Sequence, residues 1–136
     1  MDWQVEGGDW PNRTHSRFIS AAGLLWHVQA FPSARADAPL ILLIHGTASA
    51  THSWRDVAPL LTQHYRVLAL DLPGHAFTEM PSPAAAQSLG GMAQRLAGLL
   101  QQMQLSPALV VGHSAGAAVA ARMVLDGSIR PVALVS

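Results

Sequence analysis

Residues 112 to 116, Gly112-His113-Ser114-Ala115-Gly116, put a serine between two glycines at the spacing G-x-S-x-G. A valine run precedes them and a small-residue run, "AAVAA", follows. The pattern reads as a strand, a sharp turn with a serine at its tip, and a helix. A serine held there in strained backbone geometry is exposed for nucleophilic attack. Side chains two residues before and after it would collide, so both positions call for glycine. The following helix N-terminus aims backbone N–H groups at any oxyanion that forms. The chemistry is acyl transfer through Ser114, with the N–H of Ala115 as one oxyanion donor. The candidate for a second donor is the Thr47 N–H in His45-Gly46-Thr47-Ala48, directly after a buried apolar run.

A serine nucleophile needs a base, and the last histidine is His113, one residue before it. At that position the turn points its side chain away from the nucleophile. His45, beside the oxyanion loop, reads as a packing and hydrogen-bonding residue. Asp71 and His75 belong to a turn, "DLPGH". His15, His27, His52 and His64 lack metal-ligand spacing such as H-E-x-x-H, so no metal site and no cofactor is expected. None of the seven histidines is assigned as the base.

The elements that must position Ser114 follow from hydrophobic pattern. Residues 1 to 16 are polar and read as an irregular N-terminal arm. Residues 17 to 136 form one domain portion. Two apolar runs between 16 and 31, broken at Ala22–Gly23, suit a hairpin. Continuous apolar runs at 40–45 and 65–70, then "PALVVG" and "PVALVS", suit strands covered on both faces. Ser53 with Asp56 resembles a capping box opening a short helix through about Leu61. Residues 76 to 87 read as loop. From Leu89, apolar positions 89, 92, 93, 96, 99, 100 and 103 recur at helical spacing. Gly127 fits a C-terminal cap to the helix after Ser114. Alternating strands and helices predict an α/β fold, a mostly parallel sheet with helices on both faces.

Composition bounds the function. Half of the 136 residues are hydrophobic and 12% are charged, and Lys plus Arg balance Asp plus Glu at eight each. The absent basic surplus argues against nucleic acid. There is no cysteine, hence no thiolate nucleophile. The N-terminus is not a signal peptide, and no apolar run is long enough to span a membrane. A soluble cytoplasmic protein is expected.

"HG", "DLPGH" and "GHSAG", in that order, resemble the α/β-hydrolase superfamily from about residue 18 onward. Taken with "DWPNR", "SRF", "WHVQ", "THSWRD", "SLGGMA" and "RMVLDG", they resemble the α/β-hydrolase-like magnesium chelatase accessory proteins of bacteriochlorophyll biosynthesis. The arm "EGGDWPNRTHSRF" is the most specific part. His75-Ala76 departs from the His-Gly pair common in that turn. The resemblance implies a serine-type hydrolase, or a hydrolase-like factor, acting alongside magnesium chelatase. It implies a small-molecule substrate, ester-like or tetrapyrrole-related. In the superfamily the triad runs serine, acid, histidine, so both partners of Ser114 are expected beyond Ser136 and the chain reads as the N-terminal portion of a larger domain. Two alternatives stay open: a non-catalytic binding protein on this scaffold, and a generic esterase or perhydrolase. Trp3, Trp10, Trp26 and Trp54 serve as core or as a stacking surface, with core favoured for Trp26 and Trp54.

Overall fold

The computed structural model describes residues 1–82 and 88–136. Its centre is a six-stranded sheet: β1 (Ser16–Ala21), β2 (Leu24–Phe31), β3 (Leu40–Ile44), β4 (Arg66–Leu70), β5 (Leu109–Gly112) and β6 (Ala133–Val135). The strand order is β1-β2-β4-β3-β5-β6. β1 and β2 form an antiparallel hairpin, and β2 pairs antiparallel with β4. β4, β3, β5 and β6 run parallel. The predicted α/β architecture is therefore present. At the hairpin turn both Ala22 and Gly23 have positive φ, 51° and 77°. That geometry matches the right-handed twist of the flanking strands.

The helices are α1 (Trp3–Glu6), α2 (Ala58–Leu61), α3 (Leu89–Met103) and α4 (Ala115–Leu125). One face of the sheet packs on α3 and α4 through Leu96, Leu99, Val119 and Met123. The other packs Ile41, Leu43 and Val67 against Ala58, Leu61 and Trp54. Trp26 is fully buried and its Nε1 donates to Ala21 O at 2.9 Å. Of the two tryptophans expected in the core, Trp26 is there, and Trp54 is half-buried against the second cluster.

Local chemistry explains the helix ends. Ser88 caps α3, its Oγ accepting from Gly91 N at 3.0 Å. Gly127, at φ 74°, closes α4 as anticipated. Its N–H donates to Val124 O, and the Ser128 N–H to Met123 O, both at 3.0 Å, which is a Schellman ending. Part of the loop read at 76 to 87 falls on residues 83–87, outside the described residues. No helix among the described residues is long and apolar enough to cross a membrane.

Two expectations are corrected. Ser53 does not cap a helix. Its Oγ turns back to donate to Ala50 O at 2.7 Å, inside a 3₁₀ turn at Thr51–Trp54, and α2 starts later, at Ala58. A serine can satisfy its hydroxyl on a carbonyl three residues back as readily as it can cap. Nor is the N-terminal arm irregular. Asp2 caps α1 by accepting from Gln4 N at 2.9 Å, and Arg13–His15 forms a 3₁₀ turn. The arm lies on the body: Trp10 Nε1 donates to Thr51 Oγ1 at 2.9 Å and Gln29 Nε2 to Pro11 O at 2.7 Å. Trp3 packs edge-on against Phe18 and Phe77.

Candidate active site

Ser114 sits between β5 and α4 with φ 57° and ψ −117°, a conformation that non-glycine residues rarely adopt. Its neighbours impose it. A Cβ at Gly112 would lie 2.6 Å from the Cα and N of Ala117. A Cβ at Gly116 would overlap the carbonyl of Ile44 and lie 2.5 Å from His45 O. The glycines thus let the turn close on itself and let α4 dock directly on the end of β3. The His113 N–H donates to Ile44 O at 3.0 Å, tying the turn to the same strand. Ser114 and His113 are both exposed.

The loop after β3 meets this turn. A Cβ at Gly46 would stand 3.2 Å from Ser114 Cβ and 3.1 Å from His113 Nδ1. Ser49 N donates to Gly46 O at 3.2 Å, closing a turn with Ala48 at φ 61°. Thr47 and Ala115, each following a residue of this contact, flank one junction. Neither backbone N–H donates a hydrogen bond among the described residues. The structure therefore gathers Gly46, Thr47, Gly112, Ser114, Ala115 and Gly116 at one end of the sheet.

His45 is buried behind the junction. Its Nδ1 donates to Gly46 O at 2.6 Å, and its Nε2 accepts from the Leu72 N–H at 2.9 Å. Both ring nitrogens are occupied, tying the loop after β3 to Leu72. Burial pushes its pKa below the ordinary 6.5, more than the Gly46 carbonyl and the Asp71 charge raise it; His75 and His52 lower it further. The folded chain then keeps this ring neutral where the unfolded chain protonates it. The stability so contributed is present above about pH 6.5 and is lost as pH falls below it. His45→Gln keeps a donor and an acceptor without titrating. Urea midpoints measured from pH 8 to pH 5 are expected to fall less steeply for this variant than for the parent. Parallel profiles would refute the assignment.

A second polar centre was not legible beforehand. Asp71, read as a turn residue, is fully buried. Its Oδ1 accepts from Thr51 N at 2.8 Å, and its Oδ2 from His27 Nδ1 at 2.7 Å and Phe77 N at 3.2 Å. His27 Nε2 lies 2.8 Å from Ser16 Oγ. Serine, histidine and aspartate are thus linked in triad order, yet this is a clamp. The Trp3 ring covers His27 at 5.0 Å, and Gln29 Nε2 also donates to Ser16 Oγ at 3.2 Å. No short motif signals it, because His27 is 11 residues from Ser16 and 44 from Asp71. His75 donates from Nδ1 to Pro73 O at 3.1 Å, a turn residue as expected. Among the described residues no histidine ring bonds to Ser114 Oγ, and no group of three acidic or histidine side chains is placed to hold a metal.

The magnesium-chelatase 30 kDa subunit of Rhodobacter capsulatus is 36% identical over 129 residues, which is 93% of this chain and 43% of that protein. The AB hydrolase superfamily protein YfhM of Bacillus subtilis is 32% identical over 105 residues, 76% of this chain and 36% of that protein. The chain thus spans less than half the length of these curated relatives. An α/β hydrolase from Novosphingobium aromaticivorans superposes with a TM-score of 0.79 at 21% identity, over 88% of this chain and 42% of that one. The family model described as alpha/beta hydrolase fold matches residues 39–136. That stretch runs from the start of β3 through the turn at Ser114 to the last strand, and by it the chain belongs to the α/β-hydrolase fold family.

Proposed function

We propose that Ser114 is the nucleophile of a serine-type hydrolase that serves bacteriochlorophyll synthesis alongside magnesium chelatase. The observation that carries the reading is the exposed, strained Ser114 against a loop whose Thr47 N–H, like that of Ala115, is unspent. Ser114 Oγ attacks a carbonyl carbon of an ester-like or tetrapyrrole-related substrate. The two N–H groups take up the charge that forms on its oxygen, and losing one such donor typically costs about 100- to 1,000-fold in rate. A base accepts the serine proton and passes it to the leaving group, and water then releases the acyl group. That base is none of the rings described above, since His45 and His27 are fully engaged and no other bonds to Ser114. Similarity to a protein named as a magnesium-chelatase subunit supports the pathway setting.

Similarity to a protein named as a magnesium-chelatase subunit equally supports a second reading, a binding role beside the chelatase on the same scaffold. One experiment separates them. A fluorophosphonate probe on the full-length gene product is expected to modify Ser114, and Ser114→Ala to abolish the label. Folded protein that does not react would overturn the catalytic reading and leave the binding one.

A further inference from the structure

At the edge of the sheet opposite Ser114 lies an open cleft of about 630 Å³. β2 ends there and β3 and β4 begin there, Arg17 and Ile19 of β1 line one side, and the end of α3 forms the remaining wall. Ser114 instead follows the far end of β5, beyond the five residues of β3, roughly 13 Å of strand. The cleft and the serine site share no residue. Its volume falls in the range of small-molecule sites, roughly 300–1,000 Å³.

The lining is apolar with one charged feature. Phe31, Leu40, Met103 and Leu105 supply hydrocarbon surface. Arg17 and Arg66 also line it, and both residues are exposed. Neither has an acidic partner among the described residues, where the ion pairs are His27–Asp71, Arg35–Asp37 and Arg122–Asp126. Arg66 spends only its Nε, on Ala38 O at 3.1 Å, which orients the guanidinium and leaves its two terminal nitrogens to donate. Both guanidiniums are uncompensated beside the apolar trough, in a chain of zero formal net charge, with Arg17 level with Leu70 and thus four residues along β4 from Arg66. The planar fork of arginine matches a carboxylate, and the trough matches an apolar body.

We infer that this cleft binds an amphipathic carboxylate, its apolar body against Phe31, Leu40 and Met103 and its acid group at Arg17. The inference holds whether or not Ser114 turns over a substrate.

A diazirine-bearing fatty acid is the probe, with dodecanoate and dodecanol as competitors and labelled peptides mapped by mass spectrometry. Labelling is expected in the peptides that carry Phe31 to Leu40 and Gln102 to Leu105. Dodecanoate should compete, and dodecanol should compete about tenfold less well. Arg17→Glu, an exposed change, should weaken probe binding about tenfold by setting a like charge against the carboxylate. Met103→Trp should block labelling by filling the trough; should that variant misfold, Arg17→Glu decides alone. Equal labelling across the chain, including the exposed residues Leu134 and Val135, would overturn the inference. So would equal competition by the alcohol, or unchanged binding by Arg17→Glu.

Discussion

Gly116→Ala is expected to cost about 3 kcal/mol or more of folding stability, and Gly8→Ala close to nothing. Each adds one methyl group. At Gly116 that methyl group would land on the carbonyl oxygens of Ile44 and His45. These are backbone atoms at the end of β3, a strand paired on one side to β4 and on the other to β5. A flexible side chain could swing aside, but a strand held from both sides cannot, so α4 must lift from the sheet. That movement opens the contacts of Val119 and Met123, both fully buried. Overpacking of this kind typically costs 1–3 kcal/mol, and more where only backbone can yield. At Gly8 the added methyl group meets nothing within 4 Å. Urea midpoints of the two variants test the account. Equal midpoints would mean that α4 does not rest on β3 as described.

The same contrast explains which features were legible in the sequence. The turn at Ser114 could be read because its sterics are local: two glycines four residues apart carry the requirement themselves. The buried strands were legible for a similar reason, since a strand covered on both faces has no polar alternation to hide it. The short-range hydroxyl chemistry of Ser53 was ambiguous, because capping and back-bonding use the same residue type, and the nearby Ala50 carbonyl won. The arm was illegible in another way. Its polar composition predicts no structure, yet Trp3 and Trp10 are ordered by partners that come from β1 and the loops after β3 and β4: Phe18, Thr51 and Phe77. Thr47 is nominated by the hydrolase pattern, in which the loop after this strand carries an oxyanion donor, and Ala115 by its place after the serine at the start of a helix.

Asp71→Leu is expected to destabilise the chain by about 3–5 kcal/mol, although Asp71 touches neither Ser114 nor the cleft at the far edge. Its carboxylate is fully buried and serves three donors from three segments: Thr51 N, Phe77 N and His27 Nδ1. Leucine fits a buried position in size, but it leaves two backbone N–H groups and an imidazole with no acceptor. Each stranded donor costs roughly 1–3 kcal/mol, and breaking one side of a buried pair about 3–5 kcal/mol. The Thr51 N–H opens the 3₁₀ turn after the Gly46 loop, so the damage should spread to the loop that carries Thr47. Asp71→Asn keeps one carbonyl oxygen and should lose less. His27→Leu should also lose less, since Asp71 then still accepts from both backbone groups. In the double variant Asp71→Leu/His27→Leu the imidazole no longer stands unpaired, so the cost should fall short of the sum of the two single changes by about 1 kcal/mol or more. Urea denaturation of the four proteins closes that cycle. Strict additivity, or an Asp71→Leu protein within about 1 kcal/mol of the parent, would show that the carboxylate is not the junction through which the arm, β2 and the loop after β3 are held together.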